Sequence, residues 1–255
     1  MRRTIPGTQP HFPATKETIV FREMVLTAAV AGLVAALVMT AVQSIWVTPL
    51  ILQAEVYEEA TEATSPSTHA AATAEHHHDA DDWKPQDGWP RMLFTFAATT
   101  LMGVGYAFLL VAVYVWWRHP ANAAYGLLYG LAGFLVFFAA PGIGLSPELP
   151  GTAAAALASR QYWWLGTAIA TAAGLALILM QSRWWLRAVG VALLIVPHLI
   201  AAPQPAVEGA VAPAALQSQF VVATTVCSVL FWLTLGWSSA LAYRKFFLPK
   251  AELST

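Results

Sequence analysis

The stretch FREMVLTAAVAGLVAALVMTAVQSIWV, Phe21–Val47, decides the fold. Beyond Glu23 it carries no charged side chain, and it exceeds the ~20 apolar residues that an α-helix needs to cross about 30 Å of hydrocarbon. It is too long for the core of a cleaved signal peptide. Arg2, Arg3, Lys16 and Arg22 lie before or at its start, so it reads as a retained signal anchor whose amino-terminal side stays inside. Ala28, Gly32 and Ala36 recur every four residues along it, a small-residue face that lets a neighbouring helix come close in lipid. The same property leaves room for a homo-oligomer.

Five more apolar segments follow: Arg91–Trp117, Ala121–Ala140, Tyr162–Gln181, Trp184–Ala202 and Gln217–Tyr243. Charged residues are 11% of the chain, hydrophobic residues 58%, and mean hydropathy is +0.58, whereas soluble domains carry roughly a quarter charged residues. The fold class is therefore an all-α, polytopic integral membrane helix bundle with six transmembrane helices, five being the alternative. The doubtful segment is Trp184–Ala202, trimmed by Arg187 and interrupted at Pro197-His198. Six helices place Arg2, Arg3, Lys16, Arg22, Arg118, Arg183, Arg187, Arg244, Lys245 and Lys250 inside and leave only Lys84, Arg91 and Arg160 outside, the expected positive-inside bias. Both termini are then cytoplasmic. Pro49, Pro141 and Pro197 leave room for broken helix ends. The short connections at Arg118–Pro120 and Ser182–Arg183 predict antiparallel pairing of helix two with three and of four with five. Gly126, Gly130 and Gly133 supply a second close-approach face.

The domain plan is a disordered cytoplasmic tail (1–20), a first transmembrane helix (21–48) and an outer acidic and histidine-rich loop (49–90). Helices two to six follow over 91–243, with short loops and an outer SPELPG turn, and then a cytoplasmic tail (244–255). Within 49–90 the run LILQAEVYEEA can resume as a helix, with Glu55, Glu58 and Glu59 at neighbouring positions on one face. Further on, His76, His77, His78 and Asp79, with His69 nearby, offer imidazole and carboxylate ligands suited to a borderline divalent cation. A flexible loop of that kind captures an ion without caging it.

Ionisable groups at membrane depth are costly and usually serve a pathway or a partner. Glu55, Glu58, Glu148, Arg160 and His198 fall at the outer side under the six-helix plan. Glu148 sits between two prolines in SPELPG, a preset carboxylate for an ion that must shed water, or else the salt-bridge partner of Arg160. His198 follows Pro197, which disrupts the helical carbonyl ladder, and it serves either as a ligand or as a hydrogen-bonding partner of another helix. Gln43, Gln181, Gln217 and Gln219 are pore-lining candidates or helix glue. The sole cysteine, Cys227, excludes an intrachain disulfide and any thiolate-rich cluster. A phosphate-binding GxxxxGK[ST] loop is absent, as are HExxH and GxSxG, so no enzyme chemistry is expected. A net charge of -1 suggests no nucleic-acid partner.

VTPLILQAEVYE (47–58), GWPR (88–91), GLAGFLVFFAAPGIGLSPELPG (130–151), RQYWW (160–164), PHLIAAPQP (197–205) and FWLTLG (231–236) together resemble the CbtA family, the proposed cobalt transporter subunit. The likeness runs from about Phe21 to Arg244. It implies a bacterial inner-membrane protein that supplies cobalt for cobalamin synthesis. It further implies a small single-span, histidine-bearing partner, CbtB, and five spans where the charge distribution favours six. Divalent cobalt, with nickel or zinc chemically close, is the expected cargo and no permanently bound cofactor is expected. The competing reading is a non-transporting membrane scaffold or metal sensor.

Overall fold

The computed structural model describes residues 16–64, 85–117, 122–207 and 209–246. Among them are only helices, with no strand beyond one isolated bridge between Thr152 and Ala210. The helices join into six rods. The first is α1 (Lys16–Val42), a π-helical turn (Gln43–Val47) and α2 (Thr48–Thr64) in one continuous run, and α3 (Trp89–Trp117) is the second. The third combines α4 (Ala123–Phe134), a second π turn (Leu135–Ala139) and α5 (Ala140–Gly144). Then come α6 (Leu157–Met180), α7 (Trp184–Ile200) and α8 (Ala214–Phe246). The 1–20 and 244–255 tails, apart from their helical ends, and the histidine loop lie outside the described residues.

Five rods are long and apolar enough to cross a membrane. The sixth, α7, has 17 residues and so reaches about 25 Å at 1.5 Å per residue, somewhat short of a full hydrocarbon core. It nonetheless runs back alongside α6. Gly174 and Gly190 meet backbone to backbone, where a Cβ added to either would stand 2.7 Å from the other's carbonyl oxygen. Higher up, the His198 ring lies 6.1 Å from that of Trp163. The hairpin expected from the Ser182–Arg183 connection is thus present.

The other expected hairpin differs. The α4 backbone lies on α8 rather than on α3, because Gly126 and Gly130 fit against Gly236 and the Trp232 carbonyl closely enough that no side chain fits between them. Against α3 this rod makes ring contacts instead, with Tyr114 5.4 Å from Tyr129 of α4 and Tyr106 4.9 Å from Phe137 of the second π turn. Bulky aromatics on α3 keep the two backbones apart, and α8 offers glycine. Without a hydrophobic drive between helices in lipid, this close packing is the main source of cohesion. The first small-residue face behaves as expected, with Gly32 of α1 set against Gly103 and Val104 of α3. α8 is central, buried at intervals from Leu216 to Tyr243 and flanked by α1 and α4. It runs antiparallel to α1, with Ser238 Oγ donating to the Ala31 carbonyl at 3.4 Å. The start of α1 and the end of α8 therefore share one end of the bundle, and α2, residues 145–156 and residues 201–213 share the other, here called the loop end. Gly236→Val should cost about 3 kcal/mol or more through overpacking, visible as a lowered melting temperature and reduced folded yield in detergent.

Neither Pro49 nor Pro141 breaks its helix. In each case the preceding turn widens. The Thr48 N–H bonds Gln43 O and the Ala140 N–H bonds Leu135 O, five residues back instead of four. Proline has no N–H and its ring collides with the carbonyl four residues earlier, and a π turn relieves that collision while the helix continues.

Candidate transport site at the loop end

Polar side chains gather where α2 meets the start of α3. Arg91 Nη2 donates to Glu55 Oε1 at 2.8 Å and Nη1 to Oε2 at 3.3 Å, a bidentate fork, while Nη1 also reaches Asp87 Oδ1 at 2.8 Å. Both oxygens of Glu55 are thus occupied. One helical turn on, Glu58 borders the SPELPG turn, since a Cβ on Gly151 would lie 3.8 Å from its Cβ. Gly151 itself sits at φ +74°, a left-handed conformation that glycine adopts without penalty.

The turn is clamped to α8. Gln217 Nε2 donates to the Pro147 carbonyl at 2.7 Å, and Gln217 Oε1 accepts from the Leu149 N–H at 3.1 Å. A further bond from the Ala153 N–H to Gly209 O at 2.8 Å ties the turn to the segment after α7. Gln217 is therefore glue, one of its two sequence readings. Glu148 projects from this clamped turn and accepts from Arg160 Nη2 of α6 at 3.2 Å. The pair lines an open cleft of about 930 Å³ whose walls also include Gln161, Trp164 and Phe220. A second cavity, about 290 Å³, lies among α1, α3, α8 and the second π turn and is open on one side. Pro147 belongs to both walls.

The structure thus brings Glu55, Glu58 and Glu148 to one end, with Glu55 and Glu148 each on its own arginine. His198 reaches the same end but stands apart, half-buried beside Trp163 and not in the wall of the Glu148 cleft. Among the described residues no three His, Cys, Asp or Glu side chains form a cluster able to hold a metal ion. His69, His76, His77, His78 and Asp79 lie outside the described residues. Sequence reasoning missed Arg91 as the partner of Glu55, although both were assigned to the same face and the pairing follows from that assignment. It also passed over Glu23, whose side chain is 3% exposed and pairs with Arg22 at 2.9 Å. Its position inside an apolar helix was the available signal.

Glu55 and Glu148, each paired with an arginine, stand at the loop end of the helix bundle. A family model described as a probable cobalt transporter subunit, CbtA, matches residues 21–244, nearly the whole chain. The chain belongs to the CbtA family. As a CbtA member it is a membrane protein and a transporter subunit, and the resemblance carried by the turns and helix ends agrees with that match. No curated protein and no solved structure matches the chain.

Proposed function

We propose that this CbtA chain is the membrane subunit that carries divalent cobalt across the bacterial inner membrane to supply cobalamin synthesis, with the loop end facing outward and both termini in the cytoplasm. The observation that carries this reading is the shared wall at Pro147, through which the carboxylate-bearing cleft adjoins a second cavity among α1, α3, α8 and the second π turn. His69, His76, His77, His78 and Asp79 raise the local concentration of metal. Glu55, Glu58 and Glu148 then replace water on the ion as it enters, and His198 is a ligand at the rim. A hydrated ion loses oxygen ligands on entering a low-dielectric bundle, and anionic or imidazole donors offset that loss. A small single-span, histidine-bearing subunit of the CbtB type completes the transporter.

Uptake of radioactive cobalt into cells carrying this chain, with and without that partner, tests the reading. Accumulation above the empty-vector level supports it, and none with both subunits present leaves a membrane scaffold or metal sensor. Reporter fusions after Gln86 and Pro205 are expected outside, and those after Asn122 and Lys250 inside. Replacing His76, His77 and His78 together with Ala should lower uptake several-fold at limiting cobalt and spare it at saturating cobalt, since a loop pays ordering entropy to bind. Kinetics over a wide cobalt range will separate the two regimes.

A further inference from the structure

The open cleft of about 930 Å³ beside Glu148 is amphiphilic along its length. α6 lines it from Leu157 to Leu165, about 12 Å of helix at 1.5 Å per residue. Arg160 and Gln161 stand one helical turn nearer the loop end than Trp164 and Leu165, and opposite walls come from Phe220 of α8 and from the SPELPG turn. Leu165 is 51% exposed although it lines the cleft, so the recess opens sideways on a rod that crosses the membrane. An apolar recess at that depth does not fill with water, because the hydrocarbon core holds none. The polar end has donors to spare. Arg91 uses both of its Nη groups on Glu55 and Asp87, whereas among the described residues Arg160 makes one side-chain hydrogen bond, from Nη2 to Glu148 at 3.2 Å, which leaves Nε and Nη1 without a protein acceptor. The Gln161 amide, next to it in the wall, has no side-chain partner among the described residues.

We infer that this cleft seats one phospholipid of the loop-end leaflet, with its phosphate on Arg160 and Gln161 and an acyl chain along Trp164, Leu165 and Phe220. The planar guanidinium offers the free N–H pair that phosphate oxygens match, and basic recesses between membrane helices are where lipid headgroups settle. Glu148 selects the head. With Arg160 it gives the rim one charge of each sign, complementary to the phosphate and ammonium of an ethanolamine head, whereas a headgroup with no cation leaves the carboxylate facing a phosphate. The seated lipid closes the membrane side of the cleft and leaves the loop end open, so Glu148 is reached from the aqueous side alone. This inference rests on the membrane-spanning helices and is independent of the cargo.

The test is native mass spectrometry of the purified full-length chain in detergent, titrated with phosphatidylethanolamine or with phosphatidylglycerol of the same acyl chains. One phosphatidylethanolamine should bind saturably and about tenfold more tightly than phosphatidylglycerol. Glycerophosphoethanolamine, the same head without acyl chains, and inorganic phosphate should not displace it. Arg160→Gln removes the phosphate contact and Leu165→Trp fills the apolar recess, and each should weaken retention about tenfold. Both side chains are partly exposed, so the melting temperature should hold. Tyr162→Leu, on α6 but outside the cleft wall, should leave retention unchanged, which separates a seated lipid from the lipid that coats every membrane helix. Equal binding of the two phospholipids, retention unchanged in either cleft variant, or displacement by the soluble head or by phosphate overturns the inference. Cobalt uptake by cells without a preferred lipid keeps the transport reading and removes only this inference. A preferred lipid without uptake by the complete transporter does the reverse.

Discussion

Glu148→Gln is expected to lower cobalt uptake at least tenfold while the amount of protein in the membrane and its melting temperature barely change. The two parts of that expectation come from different physics. The Glu148 and Arg160 side chains are 29% and 31% exposed, and an ion pair so open to solvent stabilises a fold by about 1 kcal/mol or less. The turn that carries Glu148 is held by Gln217 through its main chain, so neutralising the carboxylate leaves the turn where it is. Binding is another matter, since a divalent ion entering the cleft loses an anionic ligand and meets an unopposed Arg160. A tenfold loss corresponds to about 1.4 kcal/mol, modest for one carboxylate on a partly dehydrated cation. The exchange Glu148→Arg with Arg160→Glu distinguishes ligand from lock. It rebuilds the pair but moves the carboxylate from the rigid turn to α6, and uptake should stay low. Full recovery in the exchanged protein would mean that the pair matters and the position of the carboxylate does not.

The helical plan was legible because its cause is local. Twenty or more apolar residues without charge dictate a spanning helix whatever surrounds them, and all six segments are helices in the structure. Even the weakest, Trp184–Ala202, was marked by Arg187 and Pro197, and it is the one that falls short of full span length. What lies between helices was legible only where glycine forced it. Gly126 and Gly130 announced a close approach, but the identity of the neighbour depended on Gly236, about a hundred residues away, and the Arg118–Pro120 connection pointed to α3 instead. The prolines misled for a related reason. Pro49 and Pro141 forbid a regular α turn, and a break or a π turn satisfies that prohibition equally well; both positions take the π turn. At the loop end the residue types were readable and their partners were not. An even choice between ligand and salt bridge for Glu148 resolves to a bridge at 3.2 Å in this conformation. Gln43 and Gln217 looked alike as polar residues in apolar helices, yet Gln217 clamps a turn while the Gln43 side-chain carbonyl is buried with no hydrogen-bond partner among the described residues.

Arg91→Gln is expected to act in the opposite direction to Glu148→Gln, lowering the cobalt concentration for half-maximal uptake about fivefold. Arg91 occupies both oxygens of Glu55 and one of Asp87, so a metal ion that uses Glu55 must first displace a guanidinium already in bidentate contact. The Arg91 and Glu55 side chains are 27% and 34% exposed, which limits the pair to about 1 kcal/mol, and releasing a competitor of that strength shifts affinity about fivefold. Glutamine keeps much of the length of arginine and can still donate one hydrogen bond to Glu55, so the junction of α2 and α3 should persist. The same substitution adds net negative charge at the mouth, which favours cation capture at low salt and less so as ionic strength rises. Measuring uptake at low and high potassium chloride therefore separates two contributions. A gain that survives high salt reflects the freed Glu55 carboxylate, whereas one that disappears reflects only the altered surface charge. Glu55→Gln in the Arg91→Gln background should remove the salt-resistant gain. If uptake at limiting cobalt instead falls in Arg91→Gln while the protein remains folded, Arg91 holds Glu55 in position for the ion rather than competing with it.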